Sequence, residues 1–269
     1  RILLLVGTPG GGKGTLVSVL EKVVGEENIC ELRTKHLDER FEISRFSGKR
    51  LLLCKDVPGD FLEAEGASAL KKLSGDDLQT GEAKGSNLGI PIRGNFDICV
   101  TCNSRLRVRL EGDAGAWRRR LILIAYEKSK PQHRIERFAE KLIAEEGPGI
   151  LRWMIAGARA HLTELDVHGD FVLSDDQKNR VEGLLNESDS VRFFVEKKVQ
   201  ASPSQAATTD ELVRAYSIFC DDQGWAARSA KQVERALGDL MLELFGSRIG
   251  HGIKREGKPF RGYSGVSLC

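Results

Sequence analysis

The stretch that decides the fold is RILLLVGTPGGGKGTLVSVL, residues 1–20. Its short apolar run ends at glycines, which is typical of a buried parallel strand that leads into a phosphate-binding loop. The glycines at 10, 11, 12 and 14 let successive backbone N–H groups face phosphate oxygens, and Lys13 can reach the β and γ phosphates. Apolar residues at helical spacing follow and stop at Gly25, so strand, loop and helix stand in the order that nucleotide binding needs.

We therefore predict an ATP-binding loop made of Gly7, Pro9, Gly10, Gly11, Gly12, Lys13, Gly14 and Thr15. Most such loops have Ser or Thr directly after the lysine to hold Mg²⁺. Here Gly14 stands at that position and the hydroxyl comes one residue later, at Thr15, where it can touch the α-phosphate instead. Small nucleotide kinases have this sequence pattern. Binding of Mg²⁺ would then depend more on an acidic residue elsewhere in the chain.

Three further patterns predict residues that act on the nucleotide. Asp56 ends a second buried strand, in KRLLLCKDVPG, where a carboxylate can meet Mg²⁺ or its waters. Asn103 ends a third strand, in NFDICVTCN, where it can hold the attacking water or the γ-phosphate, although Asn is also a common turn residue. Three adjacent arginines, at 118–120, precede a fourth strand and suit either an arginine finger on a neighbouring subunit's ATP or surface ion pairs.

The C-terminal part of the chain has a different pattern. TTDELVRAYSIFCDDQGW carries a capping box and an apolar helical face, and SAKQVERALGDLMLELFG predicts a second helix. The basic tail RIGHGIKREGKPFRGYSGV predicts two short strands around a glycine turn, which completes the outline of a winged helix. We expect phosphate contacts from Lys254, Arg255, Lys258 and Arg261, or, as the alternative, a solvated wing that touches a protein partner.

Composition bounds the class of protein. The 269 residues are 30% charged and 41% hydrophobic, which is ordinary globular usage and excludes a disordered or collagen-like chain. No apolar run approaches the roughly 20 residues of a membrane span, so we expect a soluble, cytoplasmic protein that does not bind membranes. The six cysteines are expected to be free thiols, with Cys99 and Cys102 buried in a strand rather than binding metal. Because the chain enters a strand at Arg1 without an initiator Met, we expect a fragment of a longer protein.

The order of the motifs is more specific than any one of them. GTPGGGKGT, FSGKRLLLCKDVPG, LKKLSGDD, FDICVTCNSRL, AWRRRLILIAYE and EEGPGILRWMIAG together resemble the superfamily 3 helicase domain of phage, plasmid and poxvirus primase-helicases, from about Ile2 to Ala160. The region after SDSVRFFVEKKV resembles the winged-helix domain that follows in that family. The resemblance implies an α/β fold, a P-loop NTPase with an AAA+-like parallel sheet flanked by helices, followed by a small winged-helix domain.

The resemblance also implies an activity and partners. Such a protein hydrolyses ATP with Mg²⁺, forms a ring that is usually a hexamer, and moves along single-stranded DNA in the 3′ to 5′ direction during replication of a mobile element. An N-terminal primase or collar domain would lie outside this chain. The predicted domains are residues 1–166 for the ATPase, 167–187 for a helical or polar connector, and 188–269 for the winged helix, with a helical region before the connector that is broken at Gly147, Pro148 and Gly149.

Site residues follow from the same resemblance. Lys13 is the Walker-A lysine, Asp56 the Walker-B acid that binds Mg²⁺ together with Thr15, and Asn103 the sensor. Arg120 fits the finger position best and Arg119 next. The polar stretch before the third strand would face DNA in the ring channel, where the predicted contacts are Lys84 and Arg93.

The chain departs from the family pattern in three places. Lys55 stands before Asp56, where related enzymes often have a second acid, so water activation is weaker or arranged differently. Gly14 replaces the usual hydroxyl residue, and Gly81 and Glu82 stand where an arginine or two is usual.

Two other functions remain open on the sequence alone. A replication initiator or DNA-binding switch would use ATP to organise assembly without processive unwinding, and the basic wing suits it. A nucleoside monophosphate kinase would explain the opening loop, but it needs arginines spread over a lid and a monophosphate site, whereas three of the arginines here are bunched at 118–120.

Overall fold

A computed structural model describes residues 1–39, 41–82, 89–94, 96–110, 113–128, 131–133 and 135–269. The chain divides into two compact units, Arg1–Leu185 and Asn186–Cys269. The domain bounds inferred from the sequence, at 166 and 188, remain a prediction.

The first unit is built on a five-stranded parallel sheet flanked by helices. Its strands are β1 (Ile2–Gly7), β2 (Ile29–Glu31), β3 (Leu51–Val57), β6 (Asp97–Cys102) and β7 (Leu121–Tyr126). They lie in the order β2, β3, β6, β1, β7, so that β6 separates β1 from β3. Because helices cover the sheet, the central strands are continuous apolar runs, and Leu4, Leu52 and Val100 are completely buried.

Helices and a hairpin complete the first unit. The helices are α1 (Lys13–Val24), α2 (Leu70–Leu73), α3 (Ala114–Arg120), α4 (Phe138–His168) and α5 (Asp175–Ser188), the last of which crosses the boundary between the units. The polar stretch that the sequence left open as a hairpin or a loop is an antiparallel hairpin of β4 (Leu78–Glu82) and β5 (Gly89–Arg93). Lys84 falls at 83–88, outside the described residues.

The predicted break at Gly147, Pro148 and Gly149 is wrong, because α4 runs through them without interruption from Phe138 to His168. A proline inside a helix removes one hydrogen bond and crowds the residue before it. Here that residue is Gly147, which has no Cβ to collide with the proline ring.

Helix α5 lies mostly within the predicted connector 167–187, but its apolar side chains belong to the core of the first unit. Val181, Leu184 and Leu185 are buried there in the same cluster as Trp117 and Leu121. This packing explains why the first unit extends to Leu185.

The second unit combines three helices with a three-stranded antiparallel sheet. Its elements are α6 (Ser190–Lys198), β8 (Val199–Thr208), α7 (Thr209–Gln223), α8 (Ala230–Phe245), β9 (Ile249–Arg255) and β10 (Lys258–Leu268). The strands lie in the order β8, β10, β9. The predicted capping box at Thr208 and Glu211 is confirmed, and both predicted helices and both tail strands are present.

The core of the second unit is aromatic and aliphatic. Phe194, Tyr216, Leu237 and Tyr263 are fully or almost fully buried in one cluster that joins the helices to the sheet. Strand β8 contains Pro203 and lies at the edge of its sheet, where a missing N–H is tolerated.

Two expectations about composition can be compared with the fold. Over the part of the chain that the structure describes, no helix is both long and apolar enough to span a bilayer. All six cysteines are free, and Cys99 and Cys102 are buried in β6 as predicted. Burial raises the pKa of the Cys99 thiol to about 11.

Candidate functional site

The loop between β1 and α1 wraps around the side chain of Lys13. This lysine is 3% exposed, and its Nζ donates hydrogen bonds to the carbonyl oxygens of Gly7 at 2.7 Å and Thr8 at 2.9 Å. Gly12 precedes α1 in the left-handed conformation, and no side chain among the described residues caps that helix. The unpaired N–H groups of its first turn are therefore available to an anion.

The end of β7 fixes the start of this loop. The Thr8 N–H donates to the Tyr126 carbonyl at 2.8 Å, and Lys13 Nζ lies 5.9 Å from the centre of the Tyr126 ring. A Cβ on Gly7 would come within 2.3 Å of that same carbonyl oxygen, and the φ of Gly7 is +132°. Only glycine suits this close approach.

Asp56 and Asn103 meet at the ends of β3 and β6. Asn103 Nδ2 donates to Asp56 Oδ1 at 3.2 Å. Asp56 has a φ of +50°, which is uncommon for a residue other than glycine, at an irregularity in the pairing of β3 with β6. The Asp56 N–H donates to Thr101 Oγ1 at 2.8 Å, and Thr101 is 2% exposed. A buried hydroxyl thus holds the strained backbone of the acid.

The register of the sheet brings these residues to the same edge as the loop. Cys102 of β6 pairs with Val6 of β1 on one side and with Val57 of β3 on the other. Asn103 therefore follows the strand that lies directly beside the loop, and Asp56 lies one strand further away. Ligands of open parallel sheets bind at this carboxyl edge.

Lys55, which directly precedes Asp56, points toward α1. Its Nζ lies 2.6 Å from Glu21 Oε2, which forms an exposed ion pair. Among the described residues, no group of three or more His, Cys, Asp or Glu could hold a metal. Asp56 and the Thr15 hydroxyl can still serve Mg²⁺ that arrives with a nucleotide, since that ion is usually bound by one or two carboxylates together with phosphates.

The three arginines at the end of α3 differ in their surroundings. Arg118 forms a two-pronged ion pair with Glu182 of α5, with Nη2 2.9 Å from Oε2, and this pair lowers the pKa of the Glu182 carboxyl. Arg120 donates to the backbone carbonyls of Lys71 at 3.2 Å and Ala116 at 3.0 Å. Arg119 is exposed and has no hydrogen bond or ion pair within the described part of the chain.

These arginines lie at the opposite edge of the sheet from the loop. Leu121 pairs with Ile2, and Tyr126 pairs with Gly7. The six residues of β7 separate Arg120 from the loop, and at ~3.3 Å per residue this is about 20 Å. No arginine of this group can reach a phosphate held by the loop of its own chain.

The four basic residues of the second unit that the sequence predicts as phosphate contacts differ in their surroundings. Lys254, Lys258 and Arg261 are exposed on the β9–β10 hairpin. Arg255 is engaged instead: its Nε lies 2.8 Å from Glu211 Oε1 on α7, and its Nη2 donates to the Ala206 carbonyl at 2.6 Å. In the first unit, Arg93 lies at the base of the β4–β5 hairpin, 3.1 Å from Asp76.

Comparisons with known proteins give a fold and a partial family match. A family model described as a family of unknown function, DUF5906, matches residues 5–120. No curated protein gives a significant match. Two solved structures of the NrS-1 C-terminal region superpose with TM-scores of 0.50 and 0.51, at 17% and 16% identity, over 98% and 97% of this chain. The chain covers 66% of each of those structures, so it corresponds to a part of that region. At this identity the likeness shows the fold alone.

Two features of the site were not predicted from the sequence. Thr101 has no signal beyond being a hydroxyl residue in an apolar strand, and its role depends on the backbone of Asp56. The ring and the backbone carbonyl of Tyr126 reach the loop because β7 pairs with β1, and this pairing cannot be read from the sequence around Tyr126.

Proposed function

We propose that this chain is a ring-forming ATPase of the superfamily 3 helicase type, which moves along single-stranded DNA. The observation that carries the proposal is the Asn103–Asp56 hydrogen bond, at the same sheet edge as the Lys13 loop. It joins an acid suited to Mg²⁺ with an amide suited to the attacking water or the γ-phosphate. The motif order and the β6 strand inserted between β1 and β3 support the same function.

In this mechanism, the residues have separate tasks. The loop N–H groups and Lys13 bind the phosphates and stabilise charge on the transferring phosphoryl group. Asp56 and Thr15 would hold Mg²⁺, which neutralises phosphate charge when it is bound. The Lys13 ammonium must exchange its hydrogen bonds to the Gly7 and Thr8 carbonyls for phosphate oxygens when a nucleotide binds.

The finger of this mechanism is Arg119 of a neighbouring copy. Arg118 and Arg120 each have partners in their own chain, whereas the Arg119 guanidinium is exposed. Because the length of β7, about 20 Å, separates the arginines from the loop of the same chain, the finger of this mechanism acts on the loop of another copy. The contact is therefore head to tail, which closes into a ring or continues as a filament.

The C-terminal unit fits a winged helix that binds DNA. Helices α6, α7 and α8 with the sheet β8–β10–β9 follow its order of elements, and Lys254, Lys258 and Arg261 are exposed on the wing. We propose phosphate contacts by these three side chains, with Arg255 supporting the wing through Glu211. Lys84 and Arg93 remain proposed contacts of the β4–β5 hairpin with DNA in the channel.

The test is phosphate release from ATP and Mg²⁺ with protein alone, with single-stranded DNA, and with AMP, each beside Lys13→Ala. Stimulation by DNA and no ADP formed from AMP are expected. Formation of ADP from AMP would mean a nucleoside monophosphate kinase and would overturn the proposal. Lys13→Ala is expected to abolish hydrolysis and to leave DNA binding by the second unit intact.

A second candidate is an initiator that uses ATP for assembly without processive unwinding. The observation that favours it is the Lys55–Glu21 ion pair, because a lysine directly before Asp56 cannot activate water as an acid would. A forked duplex with one labelled strand distinguishes the two functions. Strand displacement that requires ATP supports the helicase, whereas ATP-dependent assembly on the duplex without displacement supports the initiator.

A further inference from the structure

Helix α4 has an exposed apolar stripe that the proposed function does not use. None of its 31 residues is buried, although the helix is about 46 Å long at ~1.5 Å per residue. Leu151, Ile155 and Leu162 are 48%, 45% and 60% exposed. An apolar stripe of this size on a long helix marks an interaction surface.

The spacing of the stripe identifies the kind of partner. Apolar residues recur at alternating steps of four and three, which is the heptad pattern of a helix that packs against another helix. We call this set the α4 seam: Ala144, Pro148, Leu151, Ile155, Ala158 and Leu162. The half-buried residues Ile143, Ile150 and Met154 lie on another side of the helix, and α4 packs against α1, so the seam remains uncovered.

We infer that the α4 seam pairs with the same seam of a second copy of this chain, in antiparallel orientation. This inference does not depend on ATP hydrolysis. With the two-fold axis between Leu151 and Ile155, Leu151 faces Ile155 of the second copy and Ala144 faces Leu162. Two large residues then meet on each side of the axis, Pro148 faces Ala158, and the small Ala144 faces the large Leu162 at each end of the seam.

Charges beside the seam favour the same orientation. Glu145 and Arg159 each follow a seam residue, and neither has an ion pair within the described residues. In the antiparallel pair Glu145 lies near Arg159 of the second copy, and the two-fold axis makes this contact twice. Arg152 meets its own counterpart once, near the axis. A parallel pair would instead place Glu145 near Glu140 of the second copy and Arg159 near Met154, so neither side chain would gain an opposite charge.

The first experiment is cysteine cross-linking of the full chain in a Cys269→Ser background, because Cys269 is the exposed cysteine. The double variant Ala144→Cys with Leu162→Cys is expected to form disulfide-linked dimers on oxidation, while each single variant stays unlinked. Cross-linking of either single variant would show a parallel pair, and a double variant that stays unlinked would show that the seam is covered in another way. Either result overturns the inference.

The second experiment measures association by sedimentation velocity without nucleotide. Ile155→Glu is expected to weaken association about tenfold or more, which is about 1.4 kcal/mol. Trp153→Glu is the matched control, since Trp153 is 70% exposed on the same helix but lies off the seam. Equal weakening by both variants, or a wild-type chain that stays monomeric, would contradict the inference. Repeating the comparison in Arg119→Ala separates this contact from the proposed head-to-tail one.

Discussion

At the residue scale, the candidate site depends on a buried hydroxyl as well as on its acid. The Thr101 hydroxyl oxygen accepts a hydrogen bond from the backbone N–H of Asp56. This bond fixes a backbone conformation that aspartate rarely adopts. The positions of Lys13, Asp56 and Asn103 near the ends of strands could be predicted, because each lies in a recognisable motif; their roles remain a proposal. Thr101 could not, because the same threonine would fit any buried strand.

Thr101→Val keeps the shape of the side chain and removes the acceptor. Under the proposed function, in which Asp56 binds Mg²⁺, we expect ATPase activity to fall about 10–100-fold, the usual effect of losing a group that positions a metal ligand. The Mg²⁺ concentration at half-maximal rate should rise. Thr101→Ser retains the oxygen and should remain close to wild type. A Val variant with unchanged rate and Mg²⁺ dependence would contradict this role.

Arg119→Ala and Lys13→Ala should each be inactive alone and partly active when mixed. In an equal mixture, about a quarter of head-to-tail interfaces combine an intact loop with an intact finger. Phosphate release at that fraction of the wild-type rate is the expected result. The same mixture with Arg120→Ala tests the alternative finger, and recovery there but not with Arg119→Ala would transfer the role to Arg120.

At the element scale, local signals predicted the elements that have caps and periodic faces. Helices α7 and α8 begin at capping boxes and bury regular apolar faces, so their sequences were sufficient. Strands β2 and β8 were missed because the first has three residues and the second, VQASPSQAAT, is polar and is held by its pairing with β10. The break predicted in α4 failed because Gly147 relieves the strain of Pro148.

Packing of α8 against the second core can be measured with one pair of variants. Leu237 is completely buried, and Leu237→Ala should lower the free energy of unfolding by about 2–5 kcal/mol through lost contacts and a cavity. Leu242→Ala, on the same helix but 46% exposed, should change it by no more than about 0.5 kcal/mol. Denaturant titration measures both, and equal effects would show that α8 is oriented differently.

The ion pair between α7 and β9 gives the second unit an acid-sensitive contact. The hydrogen bonds from Arg255 lower the pKa of Glu211 from 4.5 to about 2. A lowered pKa stabilises the fold fully above pH 4.5, and this stabilisation is lost as the pH falls toward 2. Glu211→Gln keeps the cap on Thr208, so the difference in Tm between wild type and variant should be constant near neutral pH and shrink below pH 4.5. A difference that does not change with pH would show that the charge of Glu211 contributes nothing.

At the scale of the whole molecule, sheet order and surface partners were beyond local sequence patterns. The order β2, β3, β6, β1, β7 joins strands far apart in the chain, and no single segment specifies it. Arginines that form ion pairs and arginines that are exposed also differ only in their tertiary surroundings. Arg255 looks like its basic neighbours in the sequence, but it pairs with Glu211.

The salt dependence of DNA binding should distinguish the exposed basic residues of the β9–β10 hairpin from Arg255. Replacing Lys254, Lys258 and Arg261 by Ala should reduce the slope of log affinity against log salt by about 0.7 for each lost contact with single-stranded DNA. Arg255→Ala should mainly lower stability, because it breaks the contact with α7. Fluorescence anisotropy across a salt series measures the slope, and a larger change in slope for Arg255→Ala than for the triple variant would contradict the assignment.

The length of β7 has a kinetic consequence. Because the loop and the arginines of one chain lie at opposite sheet edges, a lone chain under the proposed mechanism lacks a complete catalytic set. Turnover per chain should therefore rise with protein concentration and level off once neighbours are saturated. The protein concentration at the midpoint of that curve would report the affinity between copies. A dilution series of the ATPase rate would therefore measure assembly.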